Sequence, residues 1–508
     1  MSMKFSEEQQ AAVNVRENCV VSAGAGSGKT AVLSERFVSL LLDPVLPAEV
    51  DEILTLTFTN KATGEMRDRI YRRILEKIKE SGFSEKDRRV LESARENFNR
   101  AAVSTFDSFC RRIVENAAGF LEIPRNFDIN GEKVIEIRKN SALEFMEEVK
   151  PNTALFRMIR CYGLKRVIDE FFEPAAACVP LFEEPNFERR VSLQKEVARG
   201  DFIRCCEDLS ALCVFLTSEY ASAVKECKKL QEIYLNLQTA AEDLNGGRLQ
   251  EAAERLAEID LSGTGGFRGE KREFLNGVKD CREKSCKFAR PNSDYINGID
   301  DQIEAARELD RYIRRVHKEQ RENNVFSYSD VVSGALKALK ENFELRQRYK
   351  TRFKYIMVDE FQDNNAEQRD LLFLLAEKAE RCVDGIPDKE DLEPAKLFFV
   401  GDEKQSIYLF RGADVSVFRM LQEDFSQKEL TCNYRSVPGL IEFFNRFFPR
   451  VMPKETESDK PFEAVFKELK YREDDRPHTE VEFIRIQKTE NEDTDEVLPR
   501  ETEFLEIA

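Results

Sequence analysis

The stretch VSAGAGSGKTAV, residues 21–32, constrains the fold of this chain more than any other part of the sequence. The stretch begins within a short β-branched run at 18–24. A helical pattern follows, with one apolar face formed by Leu33, Phe37, Leu40 and Leu41. A glycine-rich turn between a buried strand and an amphipathic helix is typical of a phosphate-binding loop, G-x-x-x-x-G-K-S/T. The first glycine of that pattern falls on Ala23. The residues alone leave two interpretations open, a nucleotide site with one small substitution and a plain glycine-rich turn.

The loop carries the residue types that phosphate binding needs. Backbone N–H groups at 26–30, with the helix N-terminus, can surround phosphate oxygens. We expect Lys29 to contact the β- and γ-phosphates and the Thr30 hydroxyl to reach a Mg²⁺ ion. A dinucleotide fingerprint fits poorly, because its third glycine would fall on Lys29. The predicted nucleotide-binding residues of the loop are Ala23, Gly24, Ala25, Gly26, Ser27, Gly28, Lys29 and Thr30.

A second motif, YIMVDEFQD, places two acids at the end of an apolar run that reads as a buried strand. In an open α/β sheet, ligands bind in the crevice at the carboxyl ends of the strands. Asp359 is therefore expected to hold Mg²⁺, and Glu360 to orient or deprotonate an attacking water. The alternative for an isolated acid pair is a solvated strand end.

Strand and helix patterns alternate over the first 125 residues, which predicts a parallel sheet covered by helices. From about 130 to 320 the chain reads as long helices with few strand signals, interrupted by a loop at 260–270. Buried-strand patterns return at 354–361 and 396–403. We predict an α/β protein whose parallel sheet is interrupted by an inserted all-helical subdomain.

Composition restricts the class of protein but does not identify its binding partner. The formal net charge of −17 argues mildly against nucleic acid, although the basic stretches 67–80 and 346–355 could form a local footprint or simply solvated helix faces. The 12 scattered cysteines indicate reduced thiols rather than a metal site. No signal peptide or membrane-length apolar run is recognised, so we expect a cytoplasmic protein without a membrane partner.

Seven motifs occur together and in one order: FSEEQQAAV (5–13), AGAGSGKT (23–30), TFTNKA (57–62), VSTFDSFC (103–110), VDEFQD (358–363), VGDEKQSIYLFRGAD (400–414) and NYRS (433–436). In this combination the chain resembles superfamily 1 DNA helicases of the UvrD/Rep type, and more closely the helicase subunits of the AddAB and RecBCD recombination nucleases. That family normally has alanine at the first glycine position of the loop. The resemblance therefore favours a true phosphate-binding loop.

The resemblance implies ATP and Mg²⁺ as cofactors and gives the matching residues their roles. Gln9 would read the adenine edge through its amide, and Tyr434 would stack on the adenine. Gln405 would contact the γ-phosphate and link hydrolysis to the DNA site. Arg435 would stabilise charge on the transferred phosphoryl group. The predicted catalytic residues are Lys29, Glu360, Gln405 and Arg435; Thr30 and Asp359 are the predicted metal ligands.

For DNA, the family uses aromatic platforms on which single-stranded bases stack. The matching aromatic positions are Phe58, Tyr408 and Phe410, and those near the backbone path are Thr57, Asn60, Thr105 and Arg411. Phe410 stands where relatives often have tryptophan. Asp107 replaces a usual histidine, and an acid there would repel phosphate.

The resemblance also predicts the domain order. A RecA-like motor domain would be formed by 1–125 and 321–440, an inserted helical subdomain by 126–320, and the start of a second, incomplete RecA-like domain by 441–508. The element VFSYSDVV (325–332) resembles the segment with which the motor domain resumes. Two late motifs of the family are not found, so we expect the chain to be the N-terminal part of a longer helicase or helicase–nuclease.

Three interpretations of function remain at this point. The first is a recombination and double-strand break repair helicase moving 3′–5′ on single-stranded DNA, acting on single-stranded or duplex DNA with an AddB- or RecC-like partner. The second is a UvrD/Rep-type repair helicase without a nuclease. The third is a non-motor, nucleotide-gated DNA-binding or regulatory protein.

Overall fold

The computed structural model describes residues 5–80, 82–409, 412–452 and 466–471. The strands are β1 (Cys19–Ala23), β2 (Ile53–Thr57), β3 (Val103–Thr105), β4 (Asp128–Ile129), β5 (Val325–Phe326), β6 (Tyr355–Val358), β7 (Leu397–Gly401), β8 (Ser426–Leu430), β9 (Cys432–Asn433) and β10 (Lys470–Tyr471).

The first nine α-helices of the described chain are α1 (Glu7–Val13), α2 (Lys29–Leu41), α3 (Asn60–Lys79), α4 (Glu85–Glu96), α5 (Phe106–Asn116), α6 (Gly131–Glu147), α7 (Ala154–Tyr162), α8 (Leu164–Val167) and α9 (Glu173–Cys178). The remaining helices are α10 (Phe187–Glu219), α11 (Lys228–Asn245), α12 (Leu249–Ala257), α13 (Glu270–Lys284), α14 (Arg290–Asn323), α15 (Tyr328–Glu341), α16 (Phe343–Arg352), α17 (Ala366–Ala376), α18 (Val415–Asp424) and α19 (Pro438–Phe447).

Six strands form one parallel sheet in the order β3-β2-β6-β7-β1-β8. The five residues of β2 and of β7 are all buried, which is the pattern of strands covered on both faces. The predicted α/β class with a parallel central sheet is confirmed. Because all six strands run the same way, the loops that follow them lie along one edge of the sheet.

The chain divides into two compact units, Met1–Arg125 with Gly334–Ala508, and Asn126–Ser333. The first unit contains the six-stranded sheet. One of its apolar cores includes Leu33 and Phe37 of the predicted α2 face, both fully buried. The assignment of these stretches to helicase subdomains stays a prediction.

The second unit is built from helices and one short parallel pair, β4 with β5. Two apolar cores lie among the described residues of this unit. One lies among α10, α11, α12 and α13, and includes Leu237 and Leu256. The other lies among α6, α7, α9 and α14, and includes Phe145 and Tyr312.

Much of the predicted second RecA-like domain, 441–508, lies outside the described residues. Within it the structure describes the end of α19 and the short strand β10, which pairs in parallel with β9. The strand-like segment at 479–488 is outside the described part. Among the described residues, no helix is both long enough and apolar enough to cross a membrane.

Candidate nucleotide-binding site

The phosphate loop connects the end of β1 at Ala23 to the start of α2 at Lys29. Gly26 and Gly28 adopt positive φ angles of 74° and 89°. A Cβ at Gly26 would lie 2.7 Å from the Cβ of Arg435, and one at Gly28 would lie 2.8 Å from Nε2 of Gln9. Both glycines are therefore required by backbone conformation and by close neighbours.

Three consecutive carbonyls of this loop accept hydrogen bonds from other segments. Asn433 Nδ2 donates to the carbonyl oxygen of Ala25 at 2.6 Å. The Tyr434 backbone N–H donates to that of Gly26 at 2.8 Å, and Gln9 Nε2 to that of Ser27 at 3.0 Å. The loop is thus held by α1 on one side and by the NYRS segment on the other.

Gln9, the predicted adenine-reading residue, is buried beside the loop at the first turn of α1. Its Oε1 accepts from the Ser6 backbone N–H at 3.1 Å, and the Ser6 hydroxyl accepts from the Gln9 N–H at 3.2 Å. This reciprocal arrangement is a capping box at the start of α1. The amide of Gln9 therefore bonds to Ser6 and Ser27, and its adenine-reading role stays a prediction.

Lys29 and Glu360 form an ion pair with an Nζ–Oε2 distance of 2.6 Å, although they are 331 residues apart in sequence. Lys29 starts α2, and Glu360 follows β6. Glu360 has a positive φ of 51°, an uncommon conformation for a residue with a side chain. The fold thus brings together the phosphate-loop lysine and the strand-end acid that the sequence analysis placed in one site.

The turn after β6 carries three carboxylates, Asp359, Glu360 and Asp363, with Lys29 as the nearby cation. Burial, followed by the charge of Glu360, raises the pKa of Asp359 to about 7, while Lys29 acts in the opposite direction. Burial and Glu360 likewise raise the pKa of Asp363 to about 6. This surplus of negative charge fits a divalent cation, because Mg²⁺ is usually bound through one or two carboxylates and substrate phosphates.

Gln405 follows β7, and its Nε2 donates to Asp402 Oδ2 at 2.7 Å. Sequence reasoning missed Gln362, which connects this strand end to the acidic turn. The Nε2 of Gln362 donates to Glu360 Oε2 at 3.1 Å, and its Oε1 accepts from the Asp402 N–H at 2.8 Å. The signal that could have found it is its place inside the VDEFQD motif.

Tyr434 and Arg435 follow β9, and both are exposed. Their turn is fixed by Asn433, whose Oδ1 accepts from the Arg435 and Ser436 backbone N–H groups at 2.9 and 2.8 Å. Asn433 is buried, and sequence reasoning gave it no role. The structure places the two predicted residues beside the phosphate loop, since Tyr434 N–H bonds to Gly26.

The predicted DNA-contacting residues that the structure describes lie at the same sheet edge. The rings of Phe58 and Tyr408 are 4.8 Å apart between centroids, tilted by 37°. Both are half-buried, and Asn60 is exposed at the start of α3. Phe410 and Arg411 lie outside the described residues, so their predicted contacts are not placed.

Two further predicted positions, Thr57 and Thr105, are paired in register at the ends of β2 and β3. Both are buried, and their hydroxyls are engaged within the protein. Thr57 Oγ1 lies 2.6 Å from the Thr63 hydroxyl, and Thr105 Oγ1 donates to the Ser108 hydroxyl at 2.8 Å. Contact of these side chains with DNA would require exchanging those bonds.

The comparison with protein families gives one match, described as the UvrD/REP helicase N-terminal domain, over residues 5–426. Similar curated proteins are named as the A subunit of an ATP-dependent helicase/nuclease. The one from Alkaliphilus metalliredigens (strain QYMF) is 28% identical over 89% of this chain and 40% of its own length. Those from Clostridium perfringens (strain 13 / Type A) and Thermoanaerobacter sp. (strain X514) are 26% and 27% identical, over 95% and 89% of this chain. The chain thus spans about two-fifths of the length of these curated relatives, 40% for the Alkaliphilus protein and 41% for the Clostridium one.

Proposed function

Because the chain belongs to the UvrD/REP helicase family, we propose that it binds ATP with Mg²⁺ at the carboxyl edge of its parallel sheet and hydrolyses it as part of a DNA motor. The ion pair between Lys29 and Glu360 is the observation that carries this proposal. Lys29 follows β1 and Glu360 follows β6, with β7 between those two strands, and a cation and a carboxylate so placed can flank the γ-phosphate of a bound ATP.

Each residue of the site has a role in this proposal. The loop N–H groups and Lys29 bind and orient the phosphates, and Glu360 orients the attacking water. Thr30 and Asp359 would hold Mg²⁺, which supplies charge neutralisation on the phosphates. Gln405, after β7, and Arg435, after β9, would contact the γ-phosphate. Gln9 and Tyr434 would bind the adenine.

A second part of the proposal concerns the direction of movement on DNA and the residues that contact it. We propose 3′–5′ movement along single-stranded DNA, with the Phe58 and Tyr408 rings serving as stacking platforms. The names of the similar proteins favour a helicase–nuclease of recombination and double-strand break repair over a repair helicase without a nuclease. On this proposal the chain corresponds to the N-terminal part of such a helicase–nuclease and works with an AddB- or RecC-like partner.

Equilibrium binding of ATP and ADP with Mg²⁺ to this chain, followed by calorimetry, tests the nucleotide site. Lys29→Ala should weaken ATP binding at least about tenfold, because a charge-assisted contact to phosphate is lost. Lys389→Ala is the matched control, since Lys389 pairs with Asp424 at 2.8 Å on the exposed surface. Equal ATP affinity in the Lys29 variant and the unaltered chain would contradict the proposal.

Steady-state ATPase with and without single-stranded DNA tests the motor. For this chain alone we expect slow turnover that Glu360→Gln abolishes and that DNA does not stimulate. DNA-stimulated turnover, again abolished by Glu360→Gln, would show that the catalytic cleft is complete in this chain and would contradict its assignment as a partial motor. Turnover that survives Glu360→Gln would contradict the role of Glu360.

A further inference from the structure

Three carbonyls on one side of the phosphate loop are fixed by hydrogen bonds. The carbonyls of Ala25, Gly26 and Ser27 each accept one hydrogen bond, from Asn433, Tyr434 and Gln9 respectively. Two of these donors are side-chain amides from distant parts of the chain. The third is a backbone N–H that any residue except proline would supply.

Fixing these carbonyls also fixes the N–H groups that face a nucleotide. In a planar trans peptide, the carbonyl of one residue and the N–H of the next point in opposite directions. The bond to the Ala25 carbonyl therefore sets the direction of the Gly26 N–H. A loop rich in glycine would otherwise sample several peptide orientations, and ordering it on binding would cost conformational entropy.

Asn433 does more than hold the loop. Its Nδ2 bonds to Ala25, while its Oδ1 bonds to the N–H groups of Arg435 and Ser436. With only 4% of its surface exposed, the side chain has little freedom to exchange these partners for water. One side chain therefore joins the phosphate loop to the turn that carries the predicted arginine.

We propose that Asn433 is a positioning residue for the nucleotide site: its amide fixes the Ala25–Gly26 peptide so that the loop is already arranged for phosphate, and it holds the Arg435 turn against the loop. This inference rests on the proposed function, since it takes the loop to bind a nucleotide. The loop serves any nucleotide with a β-phosphate, so loss of the bond to Ala25 should weaken ADP and ATP alike, whereas loss of the Arg435 turn should weaken ATP further.

The test is equilibrium binding of ADP and of ATP, each with Mg²⁺, to the full chain. Asn433→Ala should weaken ADP by about five- to tenfold, because the Ala25 carbonyl loses its donor, and should weaken ATP at least as much, because the Arg435 and Ser436 N–H groups also lose their acceptor. Asn433→Ser is the second variant. Its hydroxyl can still accept from the N–H two residues on and keep the turn, but it is too short to reach Ala25. The serine variant should therefore weaken ADP and ATP by the same factor, about five- to tenfold.

Asn18→Ala is the control, because Asn18, just before β1, also uses its amide to donate to a backbone carbonyl and to accept from a backbone N–H. Its Nδ2 donates to the Glu393 carbonyl at 3.0 Å, and its Oδ1 accepts from the Leu397 N–H at 2.8 Å. We expect it to lower the thermal midpoint without changing the affinity for ADP. An equal loss of affinity in the Asn18 variant would overturn the inference, because the effect would then follow general stability.

Two other outcomes separate this inference from the proposed function. If Lys29→Ala weakens nucleotide binding and Asn433→Ser does not, the inference is wrong and the nucleotide site remains. If Asn433→Ser weakens ATP but leaves ADP unchanged, the loop is not what Asn433 positions, and the inference is also wrong. If neither nucleotide binds to the unaltered chain, both the proposed function and the inference fail.

Discussion

Gly26 shows how closely single residues of the phosphate loop are constrained. Its φ of 74° lies in the left-handed region, and a Cβ there would meet the Cβ of Arg435 at 2.7 Å and Oδ1 of Asn433 at 2.9 Å. The neighbouring atoms are a backbone-attached carbon and a buried amide, so neither can move aside easily. Both the conformation and the space therefore exclude a side chain.

Gly26→Ala should destabilise the sheet-containing unit by about 1–3 kcal/mol and weaken ATP binding, because the loop must change its backbone to fit a methyl group. Gly64→Ala is the matched control. Gly64 lies inside α3 with open space at its Cβ position, so alanine there should stabilise by about 0.5–1 kcal/mol. Urea unfolding and calorimetry measure both effects. A Gly26 variant with unaltered stability would show that the loop is not constrained in this way.

Lys396 is a buried cation just before β7. Only 5% of it is exposed, and its Nζ donates to the Lys350 carbonyl at 2.8 Å. Burial lowers its pKa from 10.5 to about 8; Lys350 adds to the effect and Glu393 opposes it. The unfolded chain therefore binds the proton more tightly than the folded protein between those two values, and this group's contribution to stability rises with pH across that window.

Lys396→Met should raise the free energy of unfolding by about 1–3 kcal/mol at pH 7, because it removes a buried charge and keeps the volume. The gain should shrink as the pH rises through 8 and past 10.5, because the unaltered lysine is neutral in both states only above its unfolded pKa of 10.5. Urea unfolding at pH 7 and at pH 10 measures this. Lys378→Met is the control, since Lys378 also donates to a backbone carbonyl, at 2.6 Å, but at the surface. A gain independent of pH would contradict the explanation.

At the scale of elements, one arginine fixes the helix that carries Gln9. Arg36 of α2 is 2% exposed, and its Nη1 donates to the carbonyls of Val13 and Val15 at 2.9 and 3.2 Å. Its guanidinium also lies 4.2 Å from the ring centroid of Phe398 on β7. These contacts satisfy carbonyls at the end of α1, which would otherwise be unpaired, and join α1 to the helix that follows the phosphate loop.

Arg36→Met should destabilise the protein by about 2–4 kcal/mol, because several buried carbonyls lose their donor while the apolar stem is kept. Through the looser α1 it should also weaken ATP binding. Arg89→Met is the control, since Arg89 makes an exposed ion pair with Glu85 and should change stability by less than about 0.5 kcal/mol. Thermal unfolding and calorimetry provide the readouts. Unchanged ATP affinity would show that Gln9 is positioned without α1 being held by Arg36.

At the scale of the whole molecule, each unit has apolar cores of its own. One core of the sheet-containing unit includes Leu33, and one core of the helical unit includes Leu237; both leucines are fully buried. A unit that has its own apolar core can unfold locally, with an opening free energy that differs from that of the rest of the chain.

Leu237→Ala should lower the protection of backbone amides within 126–333 by about 2–5 kcal/mol of opening free energy and leave nucleotide affinity unchanged. Leu33→Ala changes the matched leucine in the sheet-containing unit. It should lower amide protection in that unit, leave 126–333 protected and weaken ATP binding, since α2 follows the phosphate loop. Hydrogen exchange followed by mass spectrometry distinguishes the two. Loss of protection across both units from either variant would indicate a single cooperative unit.

The sequence by itself determined the local features of this protein. The β-branched runs before 24 and 359 predicted buried parallel strands, and the spacing of glycines with Lys29 predicted the phosphate loop. These features depend on residues next to one another, and the backbone of such a segment has few ways to satisfy its hydrogen bonds and bury its apolar side chains. The order of the motifs was sufficient for the family.

Only the tertiary structure decided which distant groups meet. The basic stretch 346–355 was predicted to be either a solvated helix face or a footprint for nucleic acid. For Arg346 and Lys350 both interpretations are wrong, because the two cations are buried against Glu377 at 2.7 and 2.8 Å. In the same way, nothing near Asn433 in sequence indicates that it bonds to Ala25. A charge or an amide has the same local pattern whether water or a buried partner satisfies it, and that partner is supplied by the fold.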